Sequence, residues 1–345
     1  MPDMLPGRAL PRGRPAAPGA ALHLYLRFVT AAALLLIVAG ALVTSTGSGL
    51  AVPDWPNTYG TFMFAFPLSK MVGGIFYEHG HRLIASTVGL LTIGLAVCIA
   101  RSEPRRWVRR LGWVALAAVV VQGLLGGITV LYFLPAPISI SHAGLAQLFF
   151  ALVVSLTLFT SSGWRAGRAA AEAPDDRVLA RLALVTPVVI YGQILLGATM
   201  RHTGAGLAIP DFPLAFGRLL PPEWTAGIAI HFAHRIGAAT VTAIVMATAG
   251  HLLFHHRERR DLTRPALLLA ALVLVQVGLG AWTVLSGRQV AVNTAHVAVG
   301  AAVLAASIVL ALRVHRGWFS DADDELRPAP DATAEPIGQG SEARA

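Results

Sequence analysis

Apolar runs of about 20 residues recur along the chain, and they constrain its fold more than any other feature. A helix of that length crosses the hydrocarbon core of a bilayer. Only 13% of the 345 residues are charged and the mean hydropathy is +0.64, which excludes an ordinary soluble domain. The sequence therefore predicts an all-α integral membrane protein with eight transmembrane helices. The predicted spans are residues 22–44, 80–100, 111–132, 138–160, 179–200, 226–252, 264–286 and 290–312.

The basic residues predict the orientation of these spans, because cytoplasmic loops of membrane proteins carry an excess of Lys and Arg. Arginines are concentrated before the first span, after the last span and in every second loop. These basic segments are 8–14, 101–110, 165–181, 257–264 and 313–316. We therefore predict a multi-pass plasma-membrane protein with both termini in the cytoplasm and with the long loops 45–78 and 201–225 outside. This distribution accounts for the net charge of +9 and gives no sign of a nucleic-acid-binding surface.

Two pairs of similar segments indicate an internal repeat. Residues 46–56 read TGSGLAVPDWP and residues 203–213 read TGAGLAIPDFP. Residues 122–131 read QGLLGGITVL and residues 276–285 read QVGLGAWTVL. Because each half contains an even number of spans, both halves have the same orientation in the membrane. The predicted fold is two parallel-repeat four-helix bundles.

The repeat divides the chain into two bundles that are joined by a short linker. The predicted parts are a disordered cytoplasmic N-terminus over 1–21, a first four-helix bundle over 22–163, a cytoplasmic linker over 164–178, a second bundle over 179–316 and a disordered cytoplasmic tail over 317–345.

Four histidines occupy corresponding places in the two halves. His81 and His142 lie near the outer ends of the second and fourth spans, and His234 and His296 lie near the outer ends of the sixth and eighth. Two imidazoles at one depth on facing helices can take both axial positions of a heme iron. A single histidine near a membrane interface is more often a polar anchor, but four in register favour two heme sites toward the outer face.

One acidic residue distinguishes the first half from the second. Residues 78–81 read EHGH, whereas the corresponding residues 231–234 read HFAH, so Glu78 is replaced by His231. Glu78 lies about one helical turn from His81 and on the same face. An ionisable group at this depth is costly and is often functional. The asymmetry predicts chemistry in the first half and electron storage in the second; the alternative is that Glu78 only pairs with Arg82.

Two further features of the outer side have more than one interpretation. The loop motif that contains Asp54 or Asp211 is present in both halves, which favours a structural lid over a catalytic element. Arg82, Arg201 and Arg235 are candidates for pairing with heme propionates, and anchoring at the membrane interface explains each of them equally well.

These features together resemble the heme A synthase family over residues 22–316. The matching segments are GSGLAVPDWP at 47–56, EHGHR at 78–82, His142 with Ala143 and Gln147, His234 with Arg235, and TAH at 294–296. The resemblance implies that the methyl group at ring position 8 of heme O is oxidised to a formyl group, which gives heme A for terminal oxidases.

The resemblance also implies a division of roles. His81 and His142 hold the iron of the substrate heme O, Glu78 assists its oxidation, and His234 and His296 ligate a heme b that carries electrons away. The expected partners are a heme O synthase, the cytochrome oxidase assembly machinery and membrane lipid; a homo-oligomer is left open.

The chain departs from the family in its cysteines. Many members carry a cysteine pair in the first outer loop, and here Val52 and Thr58 stand at those positions; Ile209 and Ala215 stand at the corresponding positions of the second long outer loop. The lone Cys98 lies inside an apolar run and is expected to be buried. A loop disulfide therefore has no part in the mechanism of this protein.

Two other functions fit parts of the sequence. A diheme membrane cytochrome that transfers electrons, for example from quinol, needs the four histidines but gives Glu78 no role. A parallel-repeat transporter usually has broken helices with polar residues near the bilayer midplane. Here the polar residues cluster at the outer end, so the synthase is the leading hypothesis.

Labelling of introduced cysteines tests the predicted orientation. In a Cys98→Ala background, single cysteines placed in loops 45–78 and 201–225 should react with a membrane-impermeant thiol reagent on intact cells, because both loops are predicted to lie outside. Cysteines in the basic segment 101–110 should react only after the cells are lysed. The reverse labelling pattern would overturn the orientation and move both histidine pairs to the cytoplasmic side.

Overall fold

The computed structural model describes residues 18–165 and 176–319, and within these ranges the regular structure is helical, without a β-strand. Eight helices are long and apolar enough to cross a membrane, as the hydropathy predicts. The α-helices are α1 Pro18–Ser45, α2 Gly74–Ser102, α3 Arg106–Leu131, α4 Ala136–Thr160, the single turn α5 Ser162–Arg165, α6 Arg177–His202, α7 Ala226–His255, α8 Arg260–Leu285 and α9 Val290–Val314.

Each predicted span falls on one long helix, and most helices extend beyond the predicted ends. The extension matters most in α2, which begins at Gly74 rather than at residue 80 and so includes Glu78 within the helix. Helix α1 begins at Pro18, so residues 18–21 belong to a helix rather than to the predicted N-terminal tail. The rest of both predicted tails, 1–17 and 320–345, and the linker segment 166–175 lie outside the described residues.

The long helices form two groups of four with the same pattern of packing. In the first group α1 and α3 each pack against both α2 and α4, so α2 and α4 lie on the diagonal. In the second group α6 and α8 each pack against both α7 and α9, so α7 and α9 lie on the diagonal. The groups meet along α1, α4, α6 and α9. The histidine-bearing helices are therefore the diagonal pairs.

Apolar side chains fill each group and also cover its outside. Leu26, Leu95 and Leu156 are fully buried in the first group, whereas Leu24 and Phe28 on the opposite face of α1 are exposed. Exposed apolar side chains on a helix of this length are suited to contact with lipid. Cys98 is also exposed, so the prediction that it is buried is wrong: it lies on the outward face of α2.

The two long loops that are predicted to lie outside, which connect α1 to α2 and α6 to α7, have the same local structure. Asp54 accepts hydrogen bonds from the N–H groups of Tyr59 and Gly60, both at 2.8 Å. Asp211 accepts from Phe216 and Gly217 at 2.8 and 2.7 Å. Burial acts to raise the pKa of Asp54, but the N–H groups outweigh it and hold the pKa below 3.8. For Asp211, the N–H of Gly217 is the main cause of a lowered pKa. Both acids therefore brace the loops, as the lid interpretation expects.

Candidate functional site

The four histidines of the sequence analysis lie about two turns inside the N-terminal ends of their helices. His81 is in α2 and His142 is in α4, which are the diagonal helices of the first group. His234 in α7 and His296 in α9 lie on the diagonal helices of the second group. Each predicted pair therefore lies on two diagonal helices, at a similar distance from their N-terminal ends.

Each of these imidazoles lies against a glycine of the helix that precedes its own. A Cβ atom added at the glycine would lie within about 3 Å of the ring carbon Cε1, so a larger residue there would displace the ring. The glycine–histidine pairs, with the distance from that Cβ to Cε1, are Gly40–His81 at 3.1 Å, Gly126–His142 at 3.2 Å, Gly197–His234 at 2.8 Å and Gly280–His296 at 3.1 Å.

Three of the four histidines also contact a glutamine one helical turn before the glycine. Gln122 Nε2 donates to the carbonyl of His142 at 2.9 Å, and Gln193 Nε2 donates to the carbonyl of His234 at 2.8 Å. Nε2 of Gln193 also lies 3.0 Å from Nδ1 of His234. Nε2 of Gln276 lies 3.4 Å from Nε2 of His296. These glutamines and glycines form a support that the sequence analysis did not identify. The signal was present as the pattern Gln-x-x-x-Gly in three helices.

Three of these four imidazoles have a buried ring nitrogen without a hydrogen-bond partner among the described residues. The atom is Nδ1 in His81, His142 and His296. Leaving a polar atom buried and unpaired costs about 1–3 kcal/mol. Together with glycine contacts that fix the ring planes, this arrangement fits imidazoles that ligate an iron placed between the diagonal helices.

Glu78 is buried and contacts both Arg82 and the outer loop. Its Oε1 lies 2.6 Å from Nη2 of Arg82, and its Oε2 accepts the backbone N–H of Val52 at 2.8 Å. In the second half, Nδ1 of His231 accepts the N–H of Ile209 at 3.2 Å. Glu78 and His231 therefore make equivalent contacts: Glu78 binds the first long loop to α2, and His231 binds the second long loop to α7.

The three arginines that were candidates for propionate binding are engaged by the protein itself. Arg82 donates to the carbonyls of Asp54 and Val52 at 2.7 and 2.9 Å. Arg235 donates in the same way to the second loop, at 2.6 Å to the backbone carbonyl of Asp211. Arg201 instead crosses to α1, where it donates to the hydroxyls of Thr44 and Ser45 at 2.9 and 3.1 Å.

A buried pair of a threonine and a histidine in the first half has no counterpart at the corresponding positions of the second half. Oγ1 of Thr58 lies 3.0 Å from Nδ1 of His79, and neither residue is more than 1% exposed. The ring of Phe66 covers the imidazole at a centroid distance of 5.1 Å. At the corresponding places the second half has Ala215 and Phe232, which cannot form this bond. His79 had no assigned role in the sequence analysis, because a histidine without a counterpart in the second half gives no repeat signal.

Comparison with known proteins identifies the family. A family model described as cytochrome oxidase assembly protein matches residues 23–308. A heme A synthase from Symbiobacterium thermophilum is 36% identical over 264 residues, which is 73% of this chain and 82% of the relative. The chain belongs to the heme A synthase family. Relatives named heme A synthase from Geobacillus kaustophilus and Shouchella clausii are 29% and 30% identical, over 88% and 73% of this chain and 96% and 83% of their own lengths. Family membership makes the chain an enzyme and implies that heme takes part in its function.

Substitution of two glycines on α8 tests the contact between glycine and histidine. Gly280→Val should reduce heme bound by the second half by about 10-fold, because the new side chain would displace the ring of His296. Gly278→Val is the matched control, since a Cβ at Gly278 meets no atom within 4 Å. Heme content and the low-spin absorption of the purified variants are the measurements. Equal losses in both variants would show that the glycine contact is not specific.

Proposed function

We propose that the chain is a heme A synthase, which oxidises the methyl group at ring position 8 of heme O to a formyl group. The observation that carries this proposal is the arrangement of the four histidines: two lie on the diagonal helices of each group, and each lies against a glycine of the preceding helix. The chain that contains them belongs to the heme A synthase family. We assign His81 and His142 to the iron of the substrate heme O and His234 and His296 to a resident heme b.

The reaction removes four electrons and four protons. A methyl group and one water become a formyl group, four protons and four electrons, and the route is commonly drawn as two hydroxylations followed by dehydration. When bound, the heme b of the second half supplies a carrier for the electrons that leave the substrate. The remaining tasks belong to the side chains of the first half, which hold the substrate ring and exchange protons at its edge.

The differences between the halves support this division of labour. The first half, over 22–163, has the carboxylate of Glu78 and the buried pair of Thr58 and His79. At the corresponding positions the second half, over 179–316, has His231, Ala215 and Phe232. Groups able to exchange protons are therefore concentrated beside the first histidine pair. The second pair has the same glycine contacts as the first and lacks the carboxylate, which suits a site for electron storage.

Glu78 is the residue that we assign to catalysis. It precedes His81 by three residues in α2, so its carboxylate lies near the periphery of a ring that His81 and His142 would hold. A carboxylate there can accept a proton as the methyl group is oxidised, or stabilise positive charge that develops on the ring. The contacts with Arg82 and Val52 fix its position at the edge of the site.

Arg82, Arg235 and Arg201 remain our proposed partners of the heme propionates. Each guanidinium lies at the same end of its helix group as the histidine pair. Arg82 keeps only its Nε–H beyond the four N–H groups that already bind the protein, whereas Arg235 and Arg201 keep more. Arg201 is placed between the groups by its bonds to Thr44 and Ser45. A propionate that binds there would connect the second heme to the interface with the first half.

The membrane setting completes the proposal. The multi-pass protein is assigned to the plasma membrane, with both termini in the cytoplasm and the histidine pairs toward the outer face. The proposed partners are a heme O synthase that supplies the substrate and the assembly machinery that receives heme A for cytochrome oxidase.

Pigment analysis of a Glu78 variant tests the function and the assignment together. Membranes that contain the chain and a heme O producer should yield heme A. Glu78→Gln should lower heme A by a factor of about 10²–10⁴ and cause heme O or a partly oxidised form to accumulate, because the general base is lost. Heme b at His234 and His296 should be retained. Extracted hemes are quantified by chromatography and mass spectrometry.

His231→Gln is the matched control for this variant, because His231 fastens the second loop as Glu78 fastens the first. It should leave heme A output within about twofold of the unsubstituted protein, because the side-chain oxygen of Gln can accept the N–H of Ile209 in place of Nδ1. If Glu78→Gln made heme A in near-normal amounts, Glu78 would have only the structural role of binding the first loop. A parent chain that returns only heme O would favour an electron-transferring cytochrome over a synthase.

A further inference from the structure

Three side chains that could bind a metal meet at the basic end of the second helix group, far along the helices from the four histidines. Asp176 immediately precedes α6, His251 lies in the last turn or so of α7, and His256 immediately follows α7. Oδ2 of Asp176 lies 2.6 Å from Nε2 of His251 and 2.7 Å from Nε2 of His256. The three ligand atoms all lie within 4.8 Å of one another.

The carboxylate is held in position by the start of α6. Oδ1 of Asp176 accepts the N–H groups of Val178 and Leu179 at 3.0 and 2.9 Å, so the side chain caps the helix. This contact directs Oδ2 toward the two imidazoles, in the way that outer hydrogen bonds orient metal ligands. Burial acts to raise the pKa of Asp176, but the hydrogen bonds from His256 and His251 lower it overall, so the group is an anion at neutral pH.

The histidines are also arranged as ligands. Both direct the same ring atom, Nε2, at a single carboxylate oxygen. A third imidazole, His255, lies on His251 at a ring centroid distance of 4.6 Å, is exposed, and makes no bond to Asp176 among the contacts described. Two imidazole nitrogens and one carboxylate oxygen, with an open side toward solvent, are a donor set that Zn²⁺ binds at about 2.0–2.2 Å.

The same end of the first group is held by different chemistry. There Glu103 accepts from Arg105 at 2.7 Å and from Arg165 at 2.9 Å. Guanidinium groups have no lone pair for a metal. The cluster of nitrogen and oxygen ligands is therefore specific to the second half in the described chain, and it does not follow from the features that the two halves share.

We propose that Asp176, His251 and His256 form a binding site for Zn²⁺ or a chemically related divalent transition metal. The ion would replace the protons that lie between the imidazoles and the carboxylate. Small rotations of the side chains would widen the distances from Oδ2 of Asp176 to the two Nε2 atoms, now 2.6 and 2.7 Å, to the separation of ligands around a metal. The ion fastens the start of α6 to the end of α7 and so stabilises the helix group that contains His234 and His296.

Zinc binding by the full-length protein tests this site directly. The protein is purified with a tag that has no histidine, treated with a chelator, and returned to buffer with Zn²⁺. We expect one zinc per chain by elemental analysis, and two imidazole ligands by X-ray absorption at the zinc edge, which heme iron does not obscure. Zinc should also raise the Tm, because a ligand that binds only the folded state stabilises it.

Two variants separate a metal site from a set of hydrogen bonds. His256→Gln and His251→Gln keep an N–H donor for Asp176 but remove the ligand nitrogen. Each should weaken zinc binding by more than about 100-fold, beyond the loss that an outer-shell partner causes. His255→Ala is the control and should retain one zinc. Absence of stoichiometric zinc in the unsubstituted chain, or zinc binding by the glutamine variants as tight as in that chain, would overturn the proposal and leave a hydrogen-bonded cluster only. The absorption of the bound heme reports that each variant is folded.

Discussion

The contact between an imidazole and a glycine of the preceding helix is the constraint on which the rest of the structure depends. A glycine allows the two helices to approach closely at the depth of the ring, and it leaves no room for a side chain that would turn the ring away. The contact recurs four times, and at three of these sites a glutamine one turn earlier holds the backbone or ring of the histidine. Because α2 and α4, like α7 and α9, lie on the diagonals of their groups, the two histidines of each pair belong to opposite helices of one four-helix group.

The outer loops are fastened to this framework by side chains from the histidine-bearing helices. Arg82 and Arg235 bind loop carbonyls, and Glu78 and His231 each bind one loop N–H. Glu78 therefore combines a structural contact with its proposed role in proton transfer, and the two roles share one geometry. Val52 and Thr58 stand where the resemblance to the family leads one to expect cysteines in the first loop, and both are buried. In this chain, hydrogen bonds from Val52 to Glu78 and between Thr58 and His79 tie the loop to α2 without a disulfide.

The sequence predicts the parts of the structure that depend on one helix at a time. Apolar length determines the eight spans, and register along each helix places His81, His142, His234 and His296 at one depth. Lateral contacts are harder to predict, because hydropathy does not tell which face of a helix meets which neighbour. For that reason Gly40 and Gln193 had no assigned role, although the pattern Gln-x-x-x-Gly was visible in the sequence. For the same reason Cys98 was wrongly predicted to be buried. The cluster at Asp176 joins residues 75 and 80 positions apart, which no local pattern connects.

The spectrum of variants in the second histidine pair tests the central claim most directly. If His234 and His296 ligate one heme across the diagonal of α7 and α9, the purified protein should show a low-spin signal with two imidazole ligands. His234→Ala and His296→Ala should each remove that signal or convert it to high spin, because loss of either axial ligand leaves the iron with one imidazole. Circular dichroism should show that both variants keep their helices. An unchanged low-spin signal in both variants would contradict the assignment of these histidines and the account of the site that is built on them.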